Sequence, residues 1–100
     1  MGTPTPGEWH AHGPTRPTEA AWTICTHPTN TVLAVVIRDR NLYPGEAEAN
    51  ARLMAAAPNL LEACRGTELF LRALARRDEA ARRALTVLTS AIAKADGRES

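Results

Sequence analysis

One hundred residues with a hydrophobic fraction of 44% suffice for one modest core and exclude global disorder. A net charge of +1 excludes both a strongly basic nucleic-acid binder and a strongly acidic DNA mimic as whole-molecule descriptions. With only two Trp, one Tyr and one Phe, the core must be aliphatic and thin, so a partner or a second copy is a natural source of extra burial.

The chain reads as one small α+β domain over residues 1–100: an extended lead-in (1–18), a β-hairpin (20–38) and a helical part (46–96). Pro4, Pro6 and two glycines keep the opening extended. Trp9–His12 alternates Trp and Ala with two histidines and gives a weak strand signal, which makes the sheet two strands or three. Ala20–His27 is a better strand, with Trp22 and Ile24 on one face and Thr23, Cys25 and His27 on the other. Pro28-Thr29-Asn30 supplies the turn, and Asn30 tolerates positive φ. Thr31–Arg38 is the strongest strand, β-branched and apolar on both faces. Such a strand needs cover on both sides, and the lead-in with Trp9 is the expected second cover.

Tyr43-Pro44-Gly45 closes a loop, after which Glu46 and Glu48 open a helix with the charge its N-terminus favours. Pro58 ends that helix near Ala57 and starts a second, Asn59–Arg77, with Leu60, Leu61, Cys64, Leu71 and Leu74 on one face. Asp78 is the expected N-cap of a third helix, Glu79–Ala95, whose stripe is Ala81, Leu85, Leu88 and Ile92. Gly97 is the expected stop. The two to three helices are expected to pack on the hairpin.

Cys25 and Cys64 are too few for a disulfide framework and read as buried thiols. No apolar run approaches the roughly 20 residues of a membrane span. The opening lacks a basic and apolar signal sequence, so a cytoplasmic protein of the host cell is expected.

Four groups of side chains invite a functional reading. His10, His12, Cys25 and His27 would share one sheet face if the first strand pairs with the second, and such donors can bind zinc; their spacing matches no zinc module, and no cofactor is expected. Arg72, Arg76, Arg77, Arg82 and Arg83 form a basic cluster that could hold phosphate. Glu68, Asp78 and Glu79 precede Arg72, Arg82 and Arg83 by four residues, which favours a charge-balanced surface, and no aromatic is interleaved. Leu69 is an apolar residue rimmed by charge that could serve a partner, whereas Phe70 is expected under the third helix. Arg38, Asp39, Arg40, Tyr43, Glu46 and Glu48 surround the loop between sheet and helix, a composition suited to protein binding. No Ser/Thr nucleophile elbow, Gly-rich phosphate loop or HExxH is present, so an enzyme is not expected.

The run Asn50-Ala51-Arg52-Leu53 through Ala55-Ala56-Ala57-Pro58 to Leu60-Leu61-Glu62-Ala63, with Thr5-Pro6-Gly7-Glu8-Trp9 ahead of it, resembles small proteins of phages and prophages. By size and context the chain also resembles anti-CRISPR proteins of the type I class. That resemblance implies stoichiometric binding to a bacterial CRISPR surveillance complex of Cas proteins and a block on target DNA binding. It implies no direct nucleic-acid contact, and Glu8, Asp39, Glu46 and Glu48 would be the contacts complementary to a basic surface. Two alternatives stay open: an oligomeric sponge for a nucleotide immune signal, and a phage accessory or regulatory protein that binds DNA.

Overall fold

The computed structural model describes residues 3–14, 21–37 and 39–98. The fold is α+β: strands β1 (Glu8–His12), β2 (Ala21–His27) and β3 (Val32–Ile37) precede helices α1 (Glu46–Ala55), α2 (Ala57–Leu74) and α3 (Glu79–Ala95). The chain divides into two compact units, Pro4–Pro58 and a helical unit that begins at Asn59. The helical part read from the sequence is therefore split: α1 belongs with the sheet, and α3 with nearly all of α2 forms the other unit.

The sheet is antiparallel in the order β1-β2-β3. Its third strand comes from the expected lead-in. Trp9 pairs with Thr26 and Ala11 with Ile24, while Trp22 pairs with Val36 and Ile24 with Ala34. Partners across a ladder share a face, so both tryptophans lie on the face of Ile24. α1 contacts all three strands. Its Ala47 and Ala51, one turn apart and fully enclosed, let the helix backbone approach the sheet, and Ile24 is only 1% exposed. Alanine at both positions explains why so short a helix covers the face: larger side chains would hold it off.

The other face departs from expectation. Trp9 sits on the α1 side and donates its indole N–H to the carbonyl of Thr5 at 3.1 Å, so it does not cover the second face of β3. A register irregularity at Ile24/Cys25 brings Val32 opposite Cys25, while Val35 lies opposite Thr23 and Ile37 opposite Ala21. Strict alternation would group Val32 with Val36. The bulge instead gathers Val32, Val35 and Ile37 on the open side, where they are 57%, 56% and 68% exposed.

Turns follow the local chemistry. Asn30 adopts φ 56°, as its side chain permits, and the Thr26 hydroxyl, buried in the hairpin, meets the Thr29 hydroxyl at 2.7 Å and accepts from the Thr31 amide at 3.2 Å. Gly13 is required by close approach, since a Cβ there would fall 2.8 Å from the Trp22 ring.

In the helical unit, α3 buries Ala81 and Ile92, with Leu85 and Leu88 half-buried between them, as its periodicity predicts. Asp78 caps it by accepting from the amides of Ala80 and Ala81 at 2.8 and 3.3 Å. Gly97, at φ 73°, ends it: its own N–H donates to the Lys94 carbonyl, and the Arg98 N–H donates to Ala93. Arg65 of α2 reaches Asp96 at 2.5 Å, which fixes the two helices as an antiparallel pair across the turn at 75–78. No α2 side chain is fully buried. Leu61, Cys64 and Leu71 are half-buried, but Leu60 and Leu74 are exposed, and Cys64 is only partly covered where a buried thiol was expected.

Three substitutions test this account by chemical denaturation. Gly66→Ala should stabilise by about 0.5–1 kcal/mol, because an added Cβ meets nothing within 4 Å in mid-helix. Asp78→Ala should cost about 1 kcal/mol through the lost cap, and Gly13→Ala about 1–3 kcal/mol through the clash with Trp22.

Candidate functional site

The open face of the sheet combines an aliphatic patch on β3 with a polar margin on β1 and β2. Glu8 pairs with His27, His10 with Cys25 and His12 with Thr23, so all three histidines stand on the side of Val32, Val35 and Ile37. The His10 ring centroid lies 5.0 Å from that of His27, edge to face, and 6.4 Å from that of His12. Nε2 of His10 is enclosed without a hydrogen-bond partner among the described residues, and a Glu8 carboxylate oxygen stands 3.7 Å away. Cys25 is buried beneath this margin, and its thiol faces the Thr23 hydroxyl at 3.8 Å. The face-sharing expected of His10, His12, Cys25 and His27 is therefore present. Among the described residues, however, no group of three or more His, Cys, Asp or Glu side chains is arranged to hold a metal ion.

The chain runs from β3 into the loop before α1. Arg38 lies outside the described residues. Asp39 accepts from the Asn41 amide at 2.8 Å and so starts a tight turn. Glu46 folds back to accept from the Tyr43 amide at 2.8 Å, and Gly45 takes φ 84° ahead of the helix. These bonds fix the backbone on both sides of Tyr43, whose side chain is 81% exposed. A rigid backbone carrying a ring in water is poised for contact, because little entropy remains to be lost on binding. Glu48 is committed elsewhere, to an ion pair with Arg52 one turn later in α1. Arg40 is exposed.

The family model described as Salmonella phage P22 protein Y8K6 matches residues 1–99, thus including the open face, the Tyr43 loop and both units. The chain belongs to this phage protein family. No curated protein and no solved structure matches it. Among the described residues no helix is long and apolar enough to cross a membrane.

Leu69 lies in the helical unit and is 72% exposed; Phe70, expected beneath α3, is instead 66% exposed. Sequence reasoning missed both Phe70 and the grouping of Val32 with Val35 and Ile37. The first miss follows from the shallow burial of α2, which half-covers Leu61, Cys64 and Leu71, buries no side chain fully and leaves Phe70 in water. The second needed the bulge, which leaves no mark in a run of β-branched residues.

If the loop is organised as described, Glu46→Ala should speed hydrogen exchange at the Tyr43 amide and cost about 1 kcal/mol. Val35→Ser should leave stability within about 0.5 kcal/mol, as expected of an exposed position. A loss of several kcal/mol at Val35 would mean that the face is covered.

Proposed function

We propose that this phage protein is a non-enzymatic inhibitor that binds a bacterial protein complex stoichiometrically. Its proposed target is a type I CRISPR surveillance complex in the host cytoplasm, which it keeps from engaging target DNA. The observation that carries the binding reading is the open aliphatic face of Val32, Val35 and Ile37, joined along the chain to the rigid loop that exposes Tyr43. Contiguous apolar surface rimmed by polar groups marks a place where another molecule excludes water. An aliphatic centre, a histidine and Glu8 margin and one exposed tyrosine are the ingredients of a protein interface.

Charge supports the same class of partner. Surfaces that hold guide RNA and DNA are basic, and Glu8 and Asp39 are exposed carboxylates beside the patch that could complement them. Glu46 and Glu48 already serve the Tyr43 amide and Arg52, so their contribution to a partner is smaller. The CRISPR target itself rests on the resemblance in size and phage context, and family membership supports the context.

The deciding experiment is size-exclusion of the purified protein with type I surveillance complexes, followed by a target-DNA mobility shift on the same fractions. The expected result is comigration with loss of DNA binding. Tyr43→Ala should weaken the association by about tenfold or more, and Val35→Glu should abolish it while the isolated protein stays folded. Failure to comigrate with any type I complex would overturn the proposal.

A further inference from the structure

The turn between α2 and α3 is surrounded by Arg72, Arg76, Arg77, Arg82 and Arg83, and their neighbours sort them into two groups. Arg82 donates to the Glu79 carboxylate at 2.6 Å and to the Ala75 carbonyl at 3.1 Å, while Arg83 lies 3.5 Å from the other Glu79 oxygen. Asp78, expected to pair with Arg82, instead spends its carboxylate on the helix cap. The second group is less engaged. Arg72 has a loose pair with Glu68 at 3.7 Å, and Arg76 and Arg77 have no ion pair among the described residues.

Those three arginines line one open groove of about 550 Å³ together with Phe70, Ala73 and Leu74. A cation at the end of α2 suits the helix dipole, which accounts for arginine there. It does not account for a phenyl ring standing two-thirds in water in the lining of the same groove. The absence of an interleaved aromatic counted against a nucleic-acid role at the level of sequence, and the exposure of Phe70 removes that objection.

We propose that this groove binds single-stranded nucleic acid, with Phe70 stacking on one base and Arg72, Arg76 and Arg77 neutralising the neighbouring phosphates. A π-face for a base and a row of cations for the backbone are the two elements such recognition needs. Duplex DNA offers no free base face to Phe70. An acidic peptide would use the arginines but leave the ring without a flat partner. The groove is open where a free nucleotide needs enclosure, which favours a strand. It lies wholly within the helical unit, so the test is independent of the sheet face and of the proposed inhibitory role.

The test is fluorescence anisotropy of the full chain with a labelled oligothymidylate about twelve nucleotides long, a length within the usual site sizes. Three phosphate contacts predict a log–log salt slope near about −2, or roughly 20-fold weaker binding between about 50 and about 200 mM salt. Phe70→Ala should weaken binding by about tenfold, with recovery in Phe70→Trp. The double variant R76A/R77A should flatten the slope to about −0.7. Unlabelled duplex, thymidine monophosphate and polyglutamate should each compete poorly. These side chains are exposed, and circular dichroism checks that each variant keeps its helices. If one does not, the wild-type salt slope, the Phe70→Trp variant and the competition still decide. Absence of binding at low salt, indifference to loss of the Phe70 ring, or equal competition by polyglutamate, monophosphate or duplex would overturn the proposal.

Discussion

A three-stranded sheet has two faces, and among the described residues of its unit one short helix is there to cover them. That shortage governs the unit Pro4–Pro58. α1 succeeds on its side because Ala47 and Ala51 present almost no bulk, so its backbone settles onto Ile24 and spans all three strands. Both tryptophans join that covered face through their register, which concentrates the largest side chains where the helix already excludes water. What remains on the reverse side is aliphatic surface, with Val32, Val35 and Ile37 exposed, margined by histidines. The bulge at Leu33 enlarges it by turning Val32 toward Val35 and Ile37.

The helical unit meets a different constraint. Its residues are rich in alanine and arginine, and α2 buries no side chain completely. Burial alone is therefore a weak source of order, and local terms carry more of the load: the Asp78 cap, the Gly97 stop and the Arg65–Asp96 pair. The Arg65–Asp96 pair is partly exposed, so its geometry matters more for alignment of the two helices than for stability. A thin helical pair leaves its outer positions in water, and Leu69, Phe70 and Val87 are all exposed for that reason.

How much was legible in the sequence follows from the range of the interactions involved. Asp78, Asn30, Gly97 and Pro58 act on their immediate neighbours, so the α3 bounds, the hairpin turn and the α1–α2 break could be read directly. Periodicity found Ala81 and Ile92 because α3 has one buried stripe. The face of Trp9 and the grouping of Val32 with Val35 and Ile37 depend on pairing and on a bulge, which are non-local: the first was misjudged and the second was not foreseen. Phe70 was assigned to the core because an aromatic residue in a thin core is expected inside; on a helix that buries no side chain fully it stands outside. Of the candidate interface residues, Tyr43 is exposed, whereas the Tyr43 amide and Arg52 claim the carboxylates of Glu46 and Glu48.

β3 is an edge of the sheet as well as the owner of its open patch, and Val32–Ile37 contains no charged residue and no proline. A strand of that kind can recruit further strands through its unpaired backbone groups. The sequence answers with Arg38, Asp39 and Arg40 directly after the run, gatekeepers that make continued stacking costly. The surface proposed to bind a partner is thus a solubility liability while it stands uncovered. Three consecutive charges bound that liability at one end, and the Pro28-Thr29-Asn30 turn bounds it at the other.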